Sequence, residues 1–297
     1  MGYYQRVIRF DHGNPMRALI VLSLSLLFGV AVAADDPAFD YLQSRQLRSI
    51  TVEGQDLPVL VRPWEGKKQH GAAIIFADTG FGPDAPGLVA YLRSGLSPTG
   101  WASISMTPPK SPPHPSFTTA PEEITKAGEG QLSTPAAKAM EKYKPEEWQK
   151  HVETQLGFVE ASLTGLTQIG AAYPGKRILV AMDRSAALIL SLLNDGKVAP
   201  PDLLVIINPY SSSPEFDDRL PGLVAVQEVP VLDIQSPDGN SASLANAPLR
   251  RAAASAKDGM QYRQLTLSLN ISEPDAWAEV LSALRGFAAS IKEAPPQ

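Results

Sequence analysis

The chain has 297 residues, 44% of them apolar and 19% charged, the make-up of a globular protein with enough material for one large core. Its net charge is −5 and no basic stretch reaches the size of a nucleic-acid surface, so nucleic acid is excluded as a partner. Cysteine is absent, which rules out disulfides, thiolate nucleophiles and cysteine-ligated zinc.

Residues 1–33 read as a signal peptide. Arg6, Arg9 and Arg17 precede seventeen apolar or small residues, Ala18 to Ala34, and Ala31-Val32-Ala33 offers a small-x-small cleavage pattern. Translation starting at Met16 would give a complete signal as well. With no cysteine there is no lipobox. Cleavage after Ala33 removes three positive charges and Asp11, taking the net charge from −5 to −7. No later segment approaches the length of a membrane span. The expectation is an exported chain, periplasmic or secreted, with residues 34–297 as one domain.

Ser49 to Trp64 holds two short apolar runs split by Glu53-Gly54-Gln55-Asp56 and predicts an antiparallel β pair. The unbroken apolar start of "GAAIIFADTGFGPDAPG" predicts a strand buried on both faces, as in a parallel sheet. "LVAYLRSGL" predicts a short helix and "WASISM" the next strand. Thr107 to Pro121 then contains six prolines in fifteen residues, which forbids a helix or a central strand. The polar stretch that continues to about Lys144 reads as a lid-like insertion, 107–144.

Pro145-Glu146-Glu147 opens a helix with proline and acids at its positive end. Trp148, Val152, Leu156, Val159 and Leu163 give it one apolar stripe. "RILVAMDRSAALILS", residues 177–191, has the pattern of a strand, a sharp turn and a helix. Buried strands follow at Asp202–Asn208, Val229–Gln235 and Gln261–Leu269, with helices near Asp217–Val226, Ser243–Ala256 and Pro274–Ile291. This alternation predicts an α/β fold with about eight strands, mostly parallel, and helices on both faces. A β pair followed by six alternating strands fits the α/β-hydrolase plan.

The ordered set "SPTGWASISMTPP", "RILVAMDRSAA", "VIINPY", "VPVLDIQ", "LRRAAASAKDGMQYRQLTL" and "EVLSALRGFAASI" resembles an uncharacterised family of exported α/β-hydrolase-like proteins from Gram-negative bacteria. The resemblance covers about Phe39 to Lys292. It implies the α/β-hydrolase fold and supplies no reaction.

That fold places a nucleophile at the strand-to-helix elbow, usually serine in G-x-S-x-G, then an acid, then a histidine after the last strand. The elbow positions here are Ala181, Met182, Asp183, Arg184 and Ser185. Asp183 stands at the tip, where a positive φ is tolerated better by aspartate than by most residues. It reads as a turn former that caps the helix from near Arg184, or as a carboxylate nucleophile. Ser185 already lies inside the helix.

The four histidines are His12, His70, His114 and His151, all ahead of Asp183, so the usual Ser-Asp-His order cannot be assembled. His114, in the proline-rich stretch, is the candidate base for any residual chemistry. His151 is expected to face solvent, and His70 sits in a polar turn. Thr79, Gly80, Phe81 and Gly82 occupy the place of an oxyanion loop, and read first as a glycine turn between strand and helix. Asp238 rather than Asp233 stands after its strand, where a triad acid belongs, and either also reads as a loop-ordering or solvated carboxylate. No spacing suits a metal site and no nucleotide fingerprint occurs, so no cofactor is expected.

Three readings follow. The first is a non-catalytic hydrolase-like protein that binds a small ligand or an envelope partner. The second is a hydrolase of esters or related acyl or glycan groups, using Asp183, His114 and the 79–82 loop. The third is an envelope interaction protein with 107–144 as its contact surface.

Overall fold

The structure is a computed structural model that describes residues 46–112, 117–119, 139–141, 144–211 and 213–290. The expected signal peptide, His114 and most of the lid-like insertion lie outside the described residues.

Strands β1 (Leu47–Val52) and β2 (Gln55–Arg62) form the expected antiparallel hairpin, in register from Leu47 opposite Leu60 to Val52 opposite Gln55. The turn is two residues long. Glu53 and Gly54 both take positive φ, 50° and 77°, which matches the twist of the strands they join. Next come β3 (Gly71–Phe76), α1 (Leu88–Leu96) and β4 (Trp101–Met106). Two three-residue strands, β5 (Phe117–Thr119) and β6 (Ala139–Glu141), pair with each other apart from the main sheet.

Helices α2 (Pro145–Gly165) and α3 (Thr167–Ala171) lead into β7 (Lys176–Met182), α4 (Asp183–Asn194), β8 (Leu203–Ile207), α5 (Pro214–Ala225) and β9 (Val231–Gln235). Helix α6 (Ser241–Ser255), β10 (Tyr262–Thr266) and α7 (Pro274–Ser290) complete the chain.

The eight-stranded sheet runs β1-β2-β4-β3-β7-β8-β9-β10. The pairs β1–β2 and β2–β4 are antiparallel and all others parallel. Every residue of β4, β8 and β9 is buried, because helices cover both faces. On one face α2, α4 and α5 pack Val159, Leu190, Leu220 and Leu223 against Ile50, Phe76, Ile104 and Ile206. On the other, α1 and α7 pack Leu92, Leu96, Val280 and Leu284 against Ile75, Val180 and Val205. The expected stripe of α2 faces the first of these layers, with Val159 in its core and Val152, Leu156 and Leu163 packed against it.

One strand differs from expectation. The sequence predicts a buried strand over 261–269, yet β10 is the sheet edge and only half covered. Its buried residue, Leu267, follows the strand.

All parallel strands end on one side. The loops β3–α1, β7–α4, β8–α5, β9–α6 and β10–α7 therefore meet there, the usual place for a site in an open α/β sheet.

Candidate functional site at the carboxyl end of the sheet

The chain leaves β7 extended at Met182 (φ −115°, ψ 145°), turns at Asp183 with φ 52° and enters α4 at once. Ala181 is buried in the sheet, and Ser185 is buried inside the helix with its hydroxyl away from any opening to solvent. Aspartate does not cap this helix as expected. Met182 holds the N-cap position, no side chain caps it, and Asp183 is the first helical residue. Among the described residues the Asp183 side chain accepts no hydrogen bond. Burial above all pushes its carboxyl up to about 8. The negative charge of Asp78 adds to the rise, as does Asp238 more weakly, while Arg184 opposes it. At neutral pH it is mainly a neutral acid, a poor form for a carboxylate nucleophile.

The adjoining oxyanion position is filled from within the chain. In α/β-hydrolases the oxyanion is held by the N–H of the residue after the nucleophile and an N–H of the β3–αA loop. Here those groups are Arg184 N–H and Thr79 N–H. Both donate to one atom, Oδ1 of Asp78, at 3.1 and 2.8 Å. These are the distances at which such donors would hold an oxyanion. The Arg184 guanidinium reinforces the occupancy: Nε donates to Oδ1 at 3.0 Å and Nη2 to Oδ2 at 2.5 Å.

Burial works against the Arg184 charge, but the hydrogen bonds and charge of Asp78 hold it protonated above its ordinary range. Its guanidinium carbon lies 5.8 Å from the centre of the Tyr210 ring. The Tyr210 hydroxyl is pushed up to about 12, by burial and then by the Asp78 charge.

The rest of the expected oxyanion loop faces elsewhere. Gly80 N–H donates to Pro109 O at 2.8 Å and Phe81 N–H to Asp78 O at 3.3 Å, while Gly82 accepts from Ala85 N–H at 3.2 Å. Gly80 has φ 84°, and a Cβ there would run into Ser111 Oγ, so the loop needs glycine. The phenyl ring of Phe81 is exposed. Thr79 alone of the four reaches the elbow. Asp78, one residue earlier, went unread in the sequence, although an acid directly after a buried strand was the available signal.

Asp238 stands after β9, at the place of a triad acid, and serves the last loop instead of an imidazole. Its Oδ1 accepts Ser236 Oγ–H and Ile271 N–H, each at 2.7 Å, and its Oδ2 accepts Ser272 N–H at 3.2 Å. Burial would raise its pKa, but these donors hold it below the usual carboxylate range. Ile271 and Ser272 lie beyond β10, where a hydrolase carries its histidine. Asn208, with φ 48°, extends the network by donating to Ser236 Oγ at 2.8 Å and accepting Ser236 N–H at 2.8 Å.

Asp233 is neither solvated nor loop-bound. It is fully buried in β9 and paired with the equally buried Arg250 of α6, Nε to Oδ2 at 2.9 Å. Tyr262 Oη and Gln264 Nε2 donate to the same carboxylate at 2.6 and 2.9 Å.

His151 does not face solvent as expected. Its Nε2 is buried with no partner among the described residues, and burial lowers its pKa. It shares a cavity of about 20 Å³ with Arg184, Gln155, Ser211 and Phe216, room for about one water molecule. His70 is exposed, and its N–H bonds Gly100 O beside the start of β4, at the opposite end of the sheet. Among the described residues no group of three His, Asp or Glu side chains is placed to hold a metal, and no helix is long and apolar enough to cross a membrane.

A family model described as "Protein of unknown function (DUF3530)" matches residues 22–290. No curated protein matches the chain. Among similar solved structures is a dienelactone hydrolase from Anabaena variabilis, at 14% identity and a TM-score of 0.52, covering 84% of this chain and 100% of that one. An esterase domain from a Rhodothermus marinus protein matches at 13% identity and 0.51, covering 82% and 96%. An α/β serine hydrolase from Xanthomonas campestris matches at 11% and 0.50, covering 84% and 96%. At these identities the likeness is one of fold, the α/β-hydrolase fold that the sequence predicts.

Proposed function

The chain belongs to the DUF3530 family, whose description assigns no reaction, and from the geometry of its own site we propose that it is a non-catalytic α/β-hydrolase-like protein that uses the old cleft for binding. One observation carries this reading: the carboxylate of Asp78 sits on both oxyanion donors, Thr79 N–H and Arg184 N–H. Acyl transfer needs those donors free for the charge that develops in the transition state. A fixed negative charge there repels that charge. The neutral Asp183 carboxyl and the engagement of Asp238 with main-chain N–H groups point the same way. The reading includes export, supported by the signal pattern of residues 1–33 and its Ala31-Val32-Ala33 cleavage site.

The test is to express the full chain in a Gram-negative host, recover it from the periplasm and measure its mass, which should correspond to a first residue of Ala34. The purified chain is then assayed with p-nitrophenyl acetate and butyrate beside Asp183→Asn. Hydrolysis no faster than the buffer blank, in both proteins, is the expected result. Turnover that disappears in Asp183→Asn would sink the reading in favour of a hydrolase built on the elbow aspartate.

A further inference from the structure

The chain contains three Asp-Gly pairs, Asp195-Gly196, Asp238-Gly239 and Asp258-Gly259. Glycine has no side chain to shield its amide nitrogen, so that nitrogen can reach the carboxyl carbon of the aspartate before it. We propose that the turn between α6 and β10 is a site of spontaneous covalent modification, where Asp258 converts to isoaspartate while the fold keeps the other two pairs unreactive. The inference stands apart from the reading of the cleft.

Two of the pairs are already engaged. Gly196 N–H donates to Leu193 O at 3.2 Å, and Asp195 Oδ1 accepts from Asn194 Nδ2 at 2.9 Å. Gly239 N–H donates to Ser236 O at 3.2 Å, while the Asp238 carboxylate accepts from Ser236 Oγ–H and from the N–H groups of Ile271 and Ser272. Those donors hold Asp238 below the usual carboxylate range, whereas the reacting form is the neutral acid. A Cβ at Gly239 would lie 2.5 Å from Gln235 Nε2, so the backbone there has little room to rearrange.

The third pair is not held in this way. Among the described residues neither the Asp258 side chain nor Gly259 N–H makes a hydrogen bond. Both residues are exposed, and nothing lies within 4 Å of where a Cβ on Gly259 would stand. Gly259 has φ 76°, a turn that glycine makes without strain. The pair borders an open groove of about 490 Å³ that it shares with Lys176 and Glu228, so water reaches it. Exposed turns of this kind are where a chain is freest to distort.

The step needs no co-reactant but water. Gly259 N attacks Cγ of the neutral Asp258 carboxyl. The nitrogen gives up its proton and the carboxyl its hydroxyl, so one water leaves and a succinimide ring closes. Water then adds at the main-chain carbonyl carbon of residue 258 and breaks its bond to Gly259 N. The chain now runs through Cβ and Cγ, one carbon longer, and the old main-chain carbonyl has become a free carboxylate. Addition of water at Cγ instead restores aspartate. The insertion falls just before Gln261, whose carbonyl accepts Val231 N–H at 2.8 Å where β9 and β10 begin to pair.

The experiment ages the purified, folded chain for several weeks at pH 6, beside the same chain held in denaturing urea. Both are digested, and the peptides carrying residues 195, 238 and 258 are scored by electron-transfer mass spectrometry, which separates isoaspartyl from aspartyl linkages. In the folded chain isoaspartate at 258 should exceed that at either other position by at least about fivefold. In urea the three positions should agree within about twofold, because the contacts that protect two of them are gone. A folded chain in which 195 or 238 converts as fast as 258 would overturn the proposal. So would a folded chain that forms no isoaspartate at 258, or a urea sample that keeps the folded chain's bias.

Discussion

Asp183 carries a carboxyl group that folding makes harder to ionise. Its folded value is about 8 against 3.8 for the free side chain, and burial is the main cause. Between those values the folded chain keeps a proton that the unfolded chain has released. Stability therefore falls as pH rises across that window and levels off above it. Asp183→Asn removes the ionisation and keeps the size. The variant should match wild type at pH 4 and exceed it at pH 8 by about 2 kcal/mol, a figure reduced from the full shift because the residue is partly accessible. Urea unfolding at pH 4, 6 and 8 measures this, and a gap that does not grow with pH would contradict it. The turn at Asp183 was legible, since an apolar run, a polar break and a helical repeat are adjacent in the chain. Its electrostatics were not: Asp78, the partner of Arg184, lies 106 positions before it.

The pairing of Asp233 with Arg250 ties helix α6 to the sheet. Asp233 belongs to β9, Arg250 to α6, and Tyr262 and Gln264 to β10, so one carboxylate joins three elements. Gln235 adds to the joint by accepting from Arg250 Nη2 at 3.1 Å and from Ser243 Oγ at 2.8 Å. Arg250→Met strands a buried carboxylate and should cost about 3 to 5 kcal/mol. Adding Asp233→Asn removes the charge and leaves a carbonyl for Tyr262 and Gln264, so the double variant should recover about 2 kcal/mol of that loss. Urea midpoints of wild type, Arg250→Met, Asp233→Asn and the double variant test the claim. A double variant as unstable as the two single losses added together would show that packing, not charge, dominates.

The strand itself was legible from "VPVLDIQ", but the knot was not. A lone acid in a buried apolar run needs a donor, and the sequence does not say which distant segment provides it. The same limit applied to His151. The stripe of α2 was read correctly from its spacing, yet which flank of the helix the next elements would cover depends on how α4 and α5 settle beside it.

Across the whole molecule, two hydrophobic layers, one on each face of the sheet, build the fold. Periodicity follows the residues that build such layers, which is why the α/β order, the opening hairpin and the parallel sheet were readable. Chemistry depends on a few polar groups brought together across loops, which leave no periodic trace. A scaffold organised in this way should open from its edges. Strands β4, β8 and β9 are buried throughout, whereas β10 has one neighbour and consists of half-buried and exposed residues. Amide hydrogen exchange in β8 should report global unfolding, while β10 exchanges through a smaller opening with protection at least about 100-fold lower. Equal protection in β8 and β10 would mean that the Asp233 knot makes the edge part of the global unit, and Arg250→Met would then be expected to separate them.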